Sequence, residues 1–184
     1  ELSVLDSTDP DAVAAADQAT KAWVEAVLLL RERVDVLPVF AWVHVQNRGA
    51  AFSFLADAAG WQRWFFALVA VGFSLWLLWE LSRLSRREHL QAIAYAMVLG
   101  GAIGNALDRV LQGSVTDFVL VHWFDRAYFP AFNVADAAIT MGAALWITLA
   151  LLEIRREARE TRKANAAAGP STPKDPSTQR RTPG

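Results

Sequence analysis

Four ionisable residues, Asp108, Arg109, Asp117 and Asp136, stand beside long apolar stretches. A charged side chain at membrane depth costs about 2.5–3.5 kcal/mol on insertion scales, so such residues default to functional candidates. Asp108 and Arg109 end the segment GNALDR, Asp117 follows in SVTDFV, and Asp136 sits in FNVADAA. Two carboxylates brought within a few ångströms cannot both ionise cheaply: one keeps a proton and the other can act as base toward water. This is the chemistry of aspartic proteases. A structural account competes with it, in which Asp136 caps a helix through a free backbone N–H and Asp117 pairs with Arg109. Spacing alone leaves both open.

Other chemistries find little support. The chain has no cysteine, which excludes thiol nucleophiles, disulfides and cysteine-ligated metal centres. His44, His89 and His122 are scattered, so no metal site and no cofactor is expected from them. A Ser-Lys dyad needs a lysine near an outward-facing serine, yet Lys163 and Lys174 fall in the C-terminal region and Lys21 near the N-terminus; Ser53, in GAAFSF, reads as a packing residue. The glycines of GGAIGN lack the strand before and the Lys-Ser/Thr after that a phosphate loop needs, and Gly100 and Gly104 instead have the spacing that lets helix backbones approach closely. With 18 basic and 19 acidic residues the net charge is −1, which gives nucleic acid no global attraction.

The elements that must position these residues are mostly membrane spans. The chain of 184 residues reads as one domain over 1–163 with a Pro-, Ser- and Lys/Arg-rich tail, 164–184, expected to be disordered and cytoplasmic. Roughly 17–25 apolar residues suffice to cross a bilayer. Stretches 64–81, 90–107 and 133–153 meet that requirement. Arg83, Arg86 and Arg87 follow the first stretch, and Arg155, Arg156, Arg159, Arg162 and Lys163 follow the third. Two spans separate these basic clusters, so they share a side, which the positive-inside rule makes cytoplasmic. Asp108, Arg109, Asp117 and Asp136 then lie at the outer interface. The aromatic-rich VHWFDRAYFPAF, around Trp123, Tyr128 and Phe129, is expected to lie there too, and the tryptophans read as interface anchors.

Residues 1–21, with Asp6, Asp9, Pro10, Asp11 and Asp17, make a poor span. The expectation is a first helix that is truncated, processed or altered, or an unusually polar one held by its neighbours. Within an outward β element at 36–60, VLPVFAWVHVQNRGAAFSFL predicts short strands around a central Asn-Arg-Gly turn.

NRGAAFSFL at 47–55, GGAIGNALDR at 100–109, VTDF at 115–118 and FNVADAAI at 132–139, with DQATK at 17–21, resemble the lipoprotein signal peptidase (signal peptidase II) family in order and spacing, over roughly residues 17–155. The resemblance implies an all-α transmembrane bundle of four helices with a small extracytoplasmic β-cradle and a short periplasmic helix, in the bacterial inner membrane, with its active site on the periplasmic face. It implies an aspartic endopeptidase that cuts diacylglyceryl-modified prolipoproteins just before the lipidated cysteine, with no metal or organic cofactor. Membrane lipids, globomycin-type inhibitors and a monomeric state are expected with it. Carried over by motif, Asp117 and Asp136 correspond to the catalytic dyad. Asn47, Gly101, Asn105, Arg109, Asn133 and Ala135 match positions that line the pocket or order the dyad. Asp17, Lys21 and Asp108 match structural polar positions. The sequence departs from the family where ELSVLDSTDPDAVAAA replaces a hydrophobic helix before the DQ motif, and where Thr116 stands at a usually apolar position; Arg48 occupies a variable one. Two rival readings remain: a non-catalytic lipoprotein-binding scaffold, and a small proton-coupled transporter component.

Overall fold

A computed structural model describes residues 9–48, 61–85 and 87–168. The remaining part of the expected β element (49–60) and of the expected tail (169–184), as well as residues 1–8, lie outside the described residues. The chain divides into two compact units, one ending at Ile147 and the second beginning at Thr148. In order, the elements are α1 (Pro10–Val27), β1 (Arg33–Leu37), β2 (Phe40–Asn47), α2 (Gln62–Arg83), α3 (His89–Leu111), β3 (Val115–Trp123), β4 (Ala127–Tyr128) and α4 (Val134–Ala168).

The polar N-terminal stretch is a helix after all. The Asp9 carboxylate caps α1 by accepting from the Asp11 N–H at 2.9 Å, and Pro10 occupies the first turn, where its missing N–H costs nothing. Aspartates that weaken the sequence as a span therefore start the helix. Ala14, Asp17, Lys21 and Val24 recur at helical spacing and are all buried, so α1 carries Asp17 and Lys21 inward. Among the described residues three helical stretches are long and apolar enough to cross a membrane, Trp64–Arg83, His89–Leu111 and Val134–Ala167, and α1 is not among them.

Of these, α3 is central: 61% of its apolar window is buried, against 17% for α2. Leu77 and Leu81 of α2 pack on Ala92, Tyr95, Val98 and Leu99 of α3, with Trp146 of α4 against the same cluster. The rest of α2 points Phe65, Leu68, Val69 and Leu75 outward. A helix apolar on its exposed side is suited to lipid rather than water. The expected spans are lengthened at their ends: α3 continues through Arg109 to Leu111, and α4 runs through the charged stretch to Ala168, so residues 164–168 of the expected tail are helical.

The sheet is antiparallel in the order β1-β2-β3-β4. Its first turn is Pro38–Val39, where Pro38 supplies a fixed φ, and β2 runs to Asn47; the expected Asn-Arg-Gly turn begins there and extends outside the described residues. The strand β3, which carries Asp117, was not foreseen from sequence. Between β3 and α4 lie turns, the two-residue β4 and a bridge from Phe132 to Val119, so the short helix implied before the last span is replaced there by strand and turn. The Phe132 carbonyl accepts from the N–H groups of Phe118 and Val119, at 3.1 and 2.9 Å, which ties the start of α4 to β3.

A buried ion cluster joins α1 to α3. Lys21 Nζ donates to Asp17 Oδ2 at 2.6 Å and reaches Asp108 Oδ2 at 2.7 Å, and all three side chains are at most 3% exposed. Gln18 Nε2 closes the group by donating to Asp108 Oδ1 at 2.8 Å and the Gly104 carbonyl at 3.2 Å. The approach is so close that a Cβ on Gly104 would lie 2.6 Å from Asp17 Oδ2.

Two consequences are measurable by unfolding in detergent. Lys21→Met leaves two carboxylates buried beside each other and should cost about 3–5 kcal/mol, the usual result of breaking a buried pair from one side; adding Asp108→Asn should recover part of the loss, and an unchanged midpoint for Lys21→Met would contradict the cluster. Gly104→Ala should cost about 1–3 kcal/mol through overpacking, whereas Gly72→Ala, with nothing within 4 Å of the added Cβ, should be neutral or stabilising.

Candidate active site

The site is built at the N-terminus of α4, where the helix meets β3. Asn133 is the N-cap: its Oδ1 accepts from the Asp136 N–H at 2.9 Å, and Asp136 Oδ2 accepts from the Asn133 N–H at 3.3 Å. This is the reciprocal arrangement of a capping box. Asn133 has a second task, because its Nδ2 donates to Asp117 Oδ1 at 2.9 Å. One residue thus serves both carboxylates. Asp117 arrives from β3, where β2 lies alongside it, and Asn47 at the end of β2 donates to Asp117 Oδ2 at 2.9 Å.

Asn105 supplies the other link. Its Nδ2 donates to Asp136 Oδ1 at 2.7 Å, while its Oδ1 accepts from Lys21 Nζ and from Asn133 Nδ2, both at 3.1 Å. The orientation of its amide is forced, since an ammonium can only donate. Through Asn105 the charge cluster of Lys21, Asp17 and Asp108 is continuous with Asp136. The same cluster holds the helix start directly, as Asp17 Oδ1 accepts from the Ala135 N–H at 2.9 Å. Gly101 lies under that turn, where an added Cβ would come 2.5 Å from the Ala135 carbonyl oxygen.

The two carboxylates differ in environment. Asp117 is 2% exposed, and Asp136 is partly exposed. Burial, reinforced by the charge of Asp136, pushes the Asp117 carboxyl up to about 6, against the lowering effect of its bonds from Asn47 and Asn133 and of the Lys21 charge. Arg109 does not clamp Asp117: its Nη1 donates to the Asn105 carbonyl at 3.1 Å and its guanidinium lies over the Phe66 ring, 5.4 Å from the centroid. Beside Asp136 opens a cavity of about 290 Å³ lined by Phe129, Pro130, Phe132, Ala137, Thr140 and Met141, which is largely apolar.

The residues taken from the family motifs for the site, from Asp17 and Lys21 to Asn133, Ala135 and Asp136, all lie in or against this network, whereas Ser53 lies outside the described residues. Sequence reasoning missed Gln18, although it is the second residue of the DQ pair. It also missed a chain of hydrogen bonds behind Asp117: Ser114 to Gln46, Gln46 Nε2 to Thr116 Oγ1 at 3.0 Å, and Thr116 Oγ1 to Glu25 Oε1 at 2.7 Å. The signal was Thr116 itself, a hydroxyl at a position otherwise apolar that must find partners when buried. Among the described residues no group of three or more His, Asp or Glu side chains is spaced to hold a metal ion. His44 is engaged with the Leu28 carbonyl at 2.9 Å, and His122 lies between Arg33 and Asp125.

This geometry can be set beside known proteins. The signal peptidase (SPase) II family matches residues 12–152. A lipoprotein signal peptidase of Ectopseudomonas mendocina is 53% identical over 146 residues, covering 79% of this chain and 86% of the relative. One from Pseudomonas putida is 57% identical over 130 residues, covering 70% and 76%. Two solved structures described as bacterial membrane enzymes, at 2.3 and 1.9 Å resolution, superpose with a TM-score of 0.67 at 28% and 29% identity; each covers 78% of this chain, and they are themselves covered to 85% and 89%. The matched span takes in all but the first two residues of α1, the sheet and both aspartates, and the chain belongs to the signal peptidase II family, the lipoprotein signal peptidases.

Proposed function

We propose that Asp117 and Asp136 are the catalytic dyad of this signal peptidase, and that it hydrolyses the signal peptide from diacylglyceryl-modified prolipoproteins just before the lipidated cysteine. The observation that carries the reading is the shared support of the two carboxylates: Asn133 bonds both, and Asn105 joins Asp136 to a buried charge cluster. Side chains held from several directions keep reacting groups in one geometry, which is the entropic part of catalysis. Asp117, whose carboxyl is raised by burial, is assigned the proton of the pair. Asp136, the more exposed, takes a proton from water as the water attacks the scissile carbonyl, and Asp117 donates its proton to the carbonyl oxygen. As the tetrahedral intermediate collapses, Asp117 takes a proton back from a hydroxyl and Asp136 passes the water-derived proton to the leaving amine. No metal or organic cofactor enters these steps.

The apolar cavity beside Asp136 suits an acyl chain or the apolar signal segment, and binding there sets the scissile bond across the dyad. Globomycin-type inhibitors are expected to compete for the same groups. Both carboxylates come from one chain, so a monomer suffices. The sheet serves as an extracytoplasmic cradle for the substrate. The basic stretches after α2 and within α4 favour the cytoplasm for those ends, which supports a reading with the two aspartates on the periplasmic face of the inner membrane.

Asp117→Asn and Asp136→Asn should each reduce turnover of a diacylglyceryl prolipoprotein by at least about 1,000-fold, the scale of lost acid–base and positioning terms, with the variants still inserted and binding substrate. Substantial turnover by either would sink the dyad; binding without cleavage by the unsubstituted chain would favour a scaffold. The pH profile follows from the raised Asp117 carboxyl. The singly protonated dyad exists below the point at which Asp117 ionises, so kcat/KM should fall as pH rises through about 6. In kcat the fall should lie at higher pH, because bound substrate removes further water from Asp117. A profile flat from pH 5 to 9 would exclude Asp117 as the proton holder.

A further inference from the structure

We propose that the C-terminal part of α4 binds the headgroups of anionic phospholipids along one stripe, Arg155, Arg159, Arg162 and Lys163, and leans toward the membrane on that side. The inference rests on the membrane reading of α4 and not on the dyad.

The unit beginning at Thr148 is helical through Ala168, and its residues from Leu151 to Ala167 are exposed. The apolar run ends at Leu152, and from Glu153 to Lys163 five basic and three acidic residues follow, with Ile154 among them. They are not mixed around the helix. At roughly 100° per residue, Glu153, Glu157 and Glu160 fall within about 60° of one another, while Arg155, Arg159, Arg162 and Lys163 fall within about 100°, centred about 140° away. Arg156 stands between the two groups and pairs with Glu160 at 3.0 Å. Among the described residues the other four cations of this segment form no ion pair within the helix, so their charge is available to an external anion.

Position and direction select the anion. The headgroup layer is about 5–7 Å thick on each side of the hydrocarbon core. With a rise of 1.5 Å per residue, Arg155 lies about 4 Å past Leu152 and Lys163 about 16 Å past it. An upright helix would put Arg155 in the headgroups and Lys163 in water. Two features extend the reach. Side chains on an α-helix point toward its N-terminus, which here is the membrane end, so these long cations reach back toward the lipid. Membrane helices also tilt, by about 20° on average. Tilting toward the basic stripe brings cations to the headgroups and lifts the glutamates away; tilting the other way does the reverse. Anionic lipid therefore selects one direction of lean, and a zwitterionic surface does not.

The absence of cysteine makes the test clean. Ala166→Cys continues the basic stripe, and Ala164→Cys continues the acidic one, about 160° away. Each single-cysteine chain, labelled with bimane, is placed one copy per nanodisc in phosphatidylcholine with or without phosphatidylglycerol, with a headgroup-nitroxide lipid as short-range quencher. Quenching is expected to be about twofold stronger at residue 166 than at 164 with phosphatidylglycerol, and to become equal in phosphatidylcholine alone or at about 0.5 M salt. The quadruple variant Arg155→Gln, Arg159→Gln, Arg162→Gln, Lys163→Gln should lose the difference while still cleaving substrate, which shows that it is folded. Equal quenching at both positions with phosphatidylglycerol, stronger quenching at 164, or a difference that persists without anionic lipid or in the quadruple variant would each overturn the proposal.

Discussion

Lys21 is the interaction on which the rest of the structure depends. An ammonium buried to this depth is tolerable only with compensating charge and acceptors, and it has Asp17, Asp108 and Asn105 around it. Each partner then carries a second duty. Asp17 holds the first turn of α4 by the Ala135 N–H, Asp108 is bound by Gln18, and Asn105 turns its amide N–H toward Asp136. The cluster need not add net stability over an apolar packing of the same volume. What it supplies is direction: Lys21 fixes the Asn105 amide, and Asn105 and Asp17 pass that orientation on to Asp136 and the start of α4.

Much of this was legible in the sequence, and the reasons for the gaps are physical. The three spans are visible because apolar runs of that length have few other uses, and the ends differed only where charged residues continue a helix by local hydrogen bonding. Asp108, Asp117 and Asp136 stood out because ionisable groups beside such runs are costly. Residues 10–27 do not read as a span because most of their compensating groups lie elsewhere: Asp17 and Lys21 pair with each other, but their remaining partners, Ala135 for Asp17 and Asp108 and Asn105 for Lys21, are more than 80 positions away. A helix can be polar in sequence and closed in structure if its polar face is its contact face.

The sheet was half legible for a related reason. The hairpin of β1 and β2 is local and has Pro38 to mark its turn, whereas the pairing of β2 with β3 joins residues some 70 apart. That ladder shifts register between Trp42 and Val45, after which Val45 lies opposite Asp117 and Asn47 can reach its carboxylate. Register in a sheet is fixed by the face that must be buried and by irregularities of this kind, neither of which has a signature in VTDFVLVHW. Family motifs located Asn47 and Asp117 together; propensity alone left β3 as a connection.

The two readings that sequence left open for Asp136, helix cap or reacting acid, turn out not to compete. A carboxylate has two oxygens, and here they are divided: Oδ2 closes the capping box with the Asn133 N–H, and Oδ1 receives Asn105. The cap fixes the side chain against its own helix, which is what a group that must meet a water and a peptide in one geometry requires. Asn133 makes the division cooperative, since the residue that accepts from the Asp136 N–H also donates to Asp117. Neither aspartate can shift without disturbing the start of α4, and α4 cannot unwind at that end without releasing both. The structural role is therefore the means by which the proposed chemical one is held in place.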